Sequence, residues 1–329
     1  MARAAIVFTG GTISTRPDAQ AGGNVPVLDG GAILALAPDV ARIAQVEVID
    51  WGLVPASHLN FGQMLSIARA LDRQLRRAQI DGAVVVQGTD SIEETSFAFD
   101  LLLATDKTVV VTGAMRDSTA TDFDGARNLA DAVQCAVTAE LRGQGTMVVM
   151  NGVAVSADVV VKRDSTAMDT FQPREGAPLA RIVDSAVVPV AARRPRRVLP
   201  AIPATAVEDV YLVTAAAGMD GALVRGLAAL RPRGLVVAAT GSGNTHPDLL
   251  AAARELQADG TTVVLTTRCA TGTAAPTYAF PGGGAQWLRA GAILSRYDGP
   301  KSRVALALGL AAGLDRAALV QLLGEGTYK

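Results

Sequence analysis

The chain has 329 residues, half of them hydrophobic and only 4% aromatic, with a formal net charge of −1. That length suits two domains with cores of small aliphatic side chains, and the charge balance excludes a broad positive field for nucleic acid or anionic lipid. No segment approaches the roughly 18 apolar residues that span a bilayer, and two cysteines and two histidines without a CxxC pair exclude a structural zinc site.

The first predicted strand, AAIVF (4–8), comes almost at once, with no charged and apolar leader before it. A signal peptide is therefore not expected, and the protein is expected in the cytoplasm. VEVID (46–50), GAVVVQ (82–87), TVVVTG (108–113) and TMVVMN (146–151) continue the series. Helical patterns lie between them at 61–78, 94–104 and 125–138. The strands are continuous apolar runs rather than alternating ones, the mark of strands covered on both faces and so of a mainly parallel sheet. Cys135, inside LADAVQCAV, reads as a small core residue. From 151 to 190 polar residues mix with valine runs, which predicts antiparallel strands and irregular loops.

The segment ARRPRRVLPAIPA (192–204) holds three prolines and four arginines, so it can be neither helix nor central strand. Arg193, Arg194, Arg196 and Arg197 have no aromatics among them and read as a solvated linker, not a nucleic-acid patch. Strands at 210–215, 235–241 and 262–267 then alternate with helices at 222–230, 247–259 and 302–313. The expectation is an α/β protein. A larger N-terminal domain (1–191) has a mainly parallel, doubly wound sheet; a linker (192–207) leads to a smaller C-terminal α/β domain (208–329).

In open parallel sheets the functional loops follow the carboxyl ends of strands. Here those loops read TGGTIS (9–14), QGTDSIEET (87–95) and GAMRDSTATDFDGARN (113–128). TGGTIS lacks either phosphate-binding glycine fingerprint. It is an ordinary turn or a device that presents Thr12; Gly10 and Gly11 permit positive φ and close backbone approach. Asp90 and Glu93 have the spacing of a capping box, and the same helix end offers backbone N–H groups to an anion. Lys162, in ADVVVKRDST, is either a snorkelling surface lysine or a buried amine able to accept a proton. GSGN (241–244) and PGGGA (281–285) read as turns, and His58 and His246 as structural.

Taken in order, TGGTIS, QGTDSIEETSF, TGAMRDSTATDFDGARNL, KRDSTAMDTF, ATGSGNTH, TTRCATG and GPKSRVALALGL resemble the bacterial-type L-asparaginase family over nearly the whole chain. The resemblance implies hydrolysis of the side-chain amide of asparagine, and sometimes glutamine, without metal or organic cofactor. It implies Thr12 and Thr89 as catalytic threonines, Asp90 as the neighbouring carboxylate and Lys162 as the lysine. It implies Ser57 on the substrate's α-carboxylate, Asp90 on its α-ammonium, and Gly11, His58, Gly88 and Ala114 around the substrate. It also implies a homodimer or homotetramer whose sites form between subunits, with Asn244 reaching a neighbour's site, and a lid from about Ile13 to Pro26. The sequence departs from the family at Asn24, where the lid carries a tyrosine, and at Gln87 and His58. Tyr278 is a candidate substitute from a neighbouring subunit. Two other readings of the same residues are an amino-acid sensor with weak catalysis and an asparaginase-like subunit of a tRNA amidotransferase. The latter carries a further domain before its first Thr-Gly-Gly-Thr strand.

Overall fold

The computed structural model describes residues 1–193 and 195–324, which form two compact units, Met1–Ile202 and Pro203 onward. Among the described residues the first unit is built on an eight-stranded sheet and the second on a four-stranded one.

In the first unit, β1 (Arg3–Phe8) runs into a hairpin, β2 (Thr15–Asp18) and β3 (Gly23–Pro26). Short helices α1 (Gly30–Ala35) and α2 (Val40–Ile43) lead to β4 (Gln45–Asp50). Then follow α3 (Phe61–Leu75), β5 (Gly82–Val86), α4 (Ile92–Leu102), β6 (Thr108–Thr112), α5 (Gly125–Val137) and β7 (Thr146–Met150). The closing strands are β8 (Val153–Ser156), β9 (Val160–Lys162), β10 (Phe171–Pro173), β11 (Ala180–Val183) and β12 (Ala186–Pro189).

The sheet order is β12-β11-β8-β7-β6-β5-β1-β4, parallel from β7 to β4 and antiparallel from β7 to β12. The chain places β4 on one side of β1 and β5 on the other. The strand order therefore reverses beside β1 and β5, which opens a crevice at their carboxyl ends. Strands β5, β6 and β7 are buried throughout, as their unbroken apolar runs predict. Ala4, Ile6 and Phe8 share a core with Leu129, Ala132 and Val133 of α5 and Ile33 of α1. By strand alternation Ala5 and Val7, equally buried, point to the face covered by α3. The hydroxyl loops after β1 and β5 thus stand on a rigid, doubly covered sheet.

The second unit runs β13 (Val210–Thr214), α6 (Ala222–Gly226), β14 (Gly234–Ala239), α7 (Pro247–Ala258), β15 (Thr262–Thr267), α8 (Gly284–Arg289), β16 (Ile293–Leu294), α9 (Gly299–Ala311) and α10 (Arg316–Leu323). Its strands are all parallel, in chain order. GSGN is a strand-ending turn, bridged by Thr240 and Asn244. PGGGA is more than a turn, because Gly283 is the N-cap of α8 and Gly284 its first residue. His246 has the structural role expected of it: its Nδ1 accepts from the Asp248 N–H at 3.2 Å and caps α7.

The basic segment departs most from its reading. It is neither helix nor strand, but Arg193 and Arg196 are not solvated, with side chains only 5% and 12% exposed. Both pair with Asp100 of α4, at 2.9 and 3.2 Å. Arg194 lies outside the described residues.

Candidate active site

The TGGT turn is held open by its two glycines. Gly10 has φ 110° and Gly11 φ 93°, a region L side chains rarely adopt. A Cβ on Gly10 would meet Val54 N at 2.8 Å, and one on Gly11 would meet Gly88 N at 2.0 Å. The second contact joins the loop after β1 to the loop after β5. Gly88 in turn is closed in by Ala56, whose Cβ would lie 2.9 Å from a Cβ added there.

Thr12 follows this contact as the first residue of a 3-10 turn, Thr12–Ser14. The Ser14 hydroxyl donates to Gly11 O at 2.6 Å and the Thr15 hydroxyl to Thr12 O at 2.8 Å. Neighbouring hydroxyls thus satisfy the backbone carbonyls. The hydroxyl of Thr12 itself, half-buried, has no hydrogen-bond partner among the described residues.

Thr89, Asp90 and Ser91 form a second 3-10 turn, directly before α4. Thr89 is 6% exposed. Lys162, at the end of β9, sends Nζ to 2.9 Å from Thr89 Oγ1 and 2.9 Å from Asp90 Oδ1. Its side chain is 15% exposed and that of Asp90 69%. The expected capping box is therefore absent. Ser91 is the N-cap, with no side-chain cap, Asp90 holds Lys162, and Glu93 Oε2 accepts from the Lys162 backbone N–H at 3.0 Å. Both carboxylates that fitted the cap fasten β9 to the start of α4 instead. Lys162 is half-buried, between the two readings of its segment, and its Nζ meets a carboxylate.

Ser57 and His58 lie in a third 3-10 turn, Ala56–His58, where both are exposed. The Ser91 hydroxyl donates to Ala56 O at 2.9 Å and ties this turn to the Thr89 turn. Gln87 is fully buried. Its Nε2 donates to Gly88 O at 3.2 Å, and the Thr95 hydroxyl meets its Oε1 at 2.9 Å. Gln87 thus braces the peptide beside Thr89 from below.

Ala114 is fully buried in the loop after β6. Asp124 accepts from the Met115 and Arg116 N–H groups, and Asn128 donates to Gly113 O at 3.1 Å, which fixes that loop. The expected lid is a hairpin, and Asn24 Nδ2 donates to Asp117 Oδ2 at 3.3 Å. That bond and the one from Thr119 hold the Asp117 carboxyl below its ordinary range, Thr119 having the larger effect. Asn244 lies in the second unit, where its backbone closes the turn with Thr240 and its Oδ1 is buried without a partner among the described residues. Tyr278, also in the second unit, is 47% exposed and packs on Phe280.

The structure thus unites Thr89, Asp90 and Lys162 by direct contact, and joins the loops of Thr12 and Ser57 to them. Glu93 and Ser91, which complete the arrangement, were not singled out as functional in the sequence, because their partners Lys162 and Ala56 are distant in the chain. Among the described residues no three His, Cys, Asp or Glu side chains cluster as metal ligands, and no helix is long and apolar enough to cross a membrane.

Comparison with known proteins bears on the family. Residues 3–195 match the family model for the asparaginase N-terminal domain, and residues 209–323 the model for the glutaminase/asparaginase C-terminal domain. A probable L-asparaginase from Deinococcus radiodurans is 33% identical, covering 99% of this chain and 98% of its own. An L-asparaginase from Bacillus licheniformis is 29% identical over 94% of this chain and 95% of its own. The crystal structure of a probable cytoplasmic L-asparaginase from Campylobacter jejuni superposes with a TM-score of 0.89 at 27% identity, covering 98% of this chain and 99% of that one. Two matched domains and near-complete coverage put the chain in the asparaginase family.

Proposed function

We propose that the protein hydrolyses the side-chain amide of a small amino acid, L-asparagine first and L-glutamine second, to the acid and ammonia. The observation that carries this reading is Lys162 Nζ at 2.9 Å from Thr89 Oγ1, beside a second threonine loop that meets it through Gly11 and Gly88. Family membership supports the reaction class. The relatives' names support asparagine, and the name of the C-terminal model adds glutamine.

In this reading the Thr12 hydroxyl attacks the amide carbonyl carbon, and its proton passes to the Thr89–Lys162 pair. A C–O ester bond forms, the C–N bond breaks, and the nitrogen leaves as ammonia with that proton. Water then hydrolyses the ester and restores Thr12. Backbone N–H groups near Thr89 stabilise the oxyanion, each worth about 3 kcal/mol. Asp90, exposed beside Lys162, takes the substrate's α-ammonium. Ser57 takes the α-carboxylate, and His58, Gly11 and Gly88 line the substrate. Ala114 is fully buried in its braced loop and presents no side-chain surface to the substrate.

The same reading makes the working unit a homodimer or homotetramer in the cytoplasm, with Asn244 of a neighbouring copy completing each site. Hydroxyl-driven amide hydrolysis calls for no metal or organic cofactor.

The test is ammonia release from L-asparagine, L-glutamine and D-asparagine by wild type, Thr12→Ala, Thr89→Ala and Lys162→Met. Each variant should lose at least about a thousandfold in kcat/KM on L-asparagine. Undiminished turnover in both threonine variants would remove the reading. Asn24, hydrogen-bonded to Asp117 where the family carries a tyrosine, favours a second reading, an amino-acid sensor. Calorimetric binding of L-asparagine to wild type without ammonia release would select it.

A further inference from the structure

Arg193 takes no part in the proposed reaction, yet it connects the two segments that carry it. Its Nη1 is 2.9 Å from Asp100 Oδ1, and its Nη2 is 3.0 Å from Asp100 Oδ2 and 3.2 Å from Asp158 Oδ1. The three side chains are 5%, 2% and 6% exposed. Asp100 lies on α4, whose opposite end follows the Thr89–Asp90 turn. Asp158, also hydrogen-bonded by the Ser156 hydroxyl, lies between β8 and β9, and β9 ends on Lys162. One guanidinium therefore grips the helix that presents Thr89 and the turn that delivers Lys162.

The surroundings are shaped to this group. Gln144 O accepts from Arg193 Nη1 at 2.8 Å, and Gln144 Oε1 accepts from the Arg193 backbone N–H at 3.1 Å. Asp100 Oδ1 also accepts from the Thr146 N–H at 2.9 Å, at the start of β7. Gly145, at φ 73°, leaves the room: a Cβ there would lie 2.5 Å from Asp100 Oδ1 and 2.6 Å from Arg193 Nη1. Burying an arginine with two carboxylates is costly unless the geometry is good. The planar fork meets Asp100 bidentately while reaching Asp158, a fixed geometry that a lysine's point-like ammonium does not reproduce.

We propose that Arg193 is a positioning residue for the reaction. From near the end of the first unit it sets the separation of Lys162 Nζ and Thr89 Oγ1 by clamping α4 to the β8–β9 turn. The proposal rests on the amidase reading above. Arg196 provides the control. It bonds Asp100 O, Leu103 O and Thr105 O, and pairs with Asp100, so it holds only the far end of α4 and does not reach Asp158.

The experiment compares Arg193→Lys, Asp158→Asn, their double variant and Arg196→Lys with wild type. It measures kcat and KM for L-asparagine, melting temperature, and amide hydrogen exchange over residues 159–163. Loosening the clamp should lower kcat about tenfold in each of the first two variants, since sub-ångström misplacement of reacting groups has effects of this order. KM should stay within about twofold. The double variant should lose no more than the worse single, because both changes break one contact. Exchange in 159–163 should quicken about tenfold. Arg196→Lys should keep kcat within about twofold of wild type.

Wild-type kcat and exchange in both Arg193→Lys and Asp158→Asn would overturn the clamp. So would additive losses, or a loss in Arg196→Lys equal to that in Arg193→Lys. If Arg193→Lys does not fold, Asp158→Asn releases the same contact in an isosteric side chain and decides alone. Failure of the amidase reading shows elsewhere, as undiminished turnover in both Thr12→Ala and Thr89→Ala, and the exchange result remains readable in that event.

Discussion

Gly11 is where the two threonine loops meet, and its consequences are steric. A methyl group there has to displace the Gly88 backbone, 2.0 Å from where its Cβ would sit, while the residue holds φ near 93°. Gly11→Ala should therefore separate the Thr12 turn from the Thr89 turn. We expect kcat to fall about a hundredfold, with a stability loss of about 1–3 kcal/mol. Steady-state kinetics and a denaturant melt check both; wild-type kcat in the folded variant would show that the loops need not touch. The TGGT motif by itself left an ordinary turn and a device for presenting Thr12 both open, and only its resemblance to a family motif pointed to the second. Its contact with Gly88 was not legible, since the approach is between loops far apart in the chain. Asp90 and Glu93 show the limit from the other side. Their spacing fits a capping box, and only a lysine 72 residues away, invisible to local pattern, claims them instead.

Among the elements, the buried strands and long helices were legible to within a few residues. The helix expected over 61–78 is Phe61–Leu75, and that over 125–138 is Gly125–Val137. The β2–β3 hairpin and the short helices α1, α2, α8 and α10 were not, because they have few residues and little apolar period to display. Helix α5 also carries a polar surprise. Asp131 is 7% exposed, its Oδ2 lacks a hydrogen bond among the described residues, and Arg127 stands 3.7 Å away. Burial pushes its carboxyl up to about 6, against the smaller opposing pull of Arg127. Burial also lifts the Cys135 thiol one turn on, to about 12, with Asp131 adding to it. A carboxyl raised on folding stabilises the protein most below its unfolded value near 4, and that contribution is lost as pH rises through 6. Asp131→Asn should therefore raise the melting temperature at pH 7.5 by about 2 °C and leave it unchanged at pH 4. Calorimetry at the two pH values decides, and an equal shift at both would mean that packing, not ionisation, sets the effect.

At the scale of the whole molecule the doubly wound order was legible because parallel strands buried on both faces leave unbroken apolar runs. The segment expected to link the two domains was misread as solvated because four arginines and three prolines look polar in isolation. Its acidic partners Asp100 and Asp158 lie in other elements and become visible only in three dimensions. With Arg193 and Arg196 buried and Leu199 3% exposed, this segment is pinned to the first unit and does not hang as a tether. The Leu199 N–H completes the pinning with a 2.8 Å hydrogen bond to Leu101 O. Limited trypsin digestion should therefore spare the bonds after Arg196 and Arg197 in the native protein, despite the density of arginine. Asp100→Ala leaves two buried guanidiniums without their shared carboxylate, a loss of about 3–5 kcal/mol locally. Cleavage at these bonds should then quicken about tenfold or more and become the leading cut, because proteolysis follows the population of the opened segment. Mass spectrometry of the early fragments reads this directly. Rapid nicking after Arg197 in the wild type would mean that the arginine–aspartate network does not hold the segment in solution.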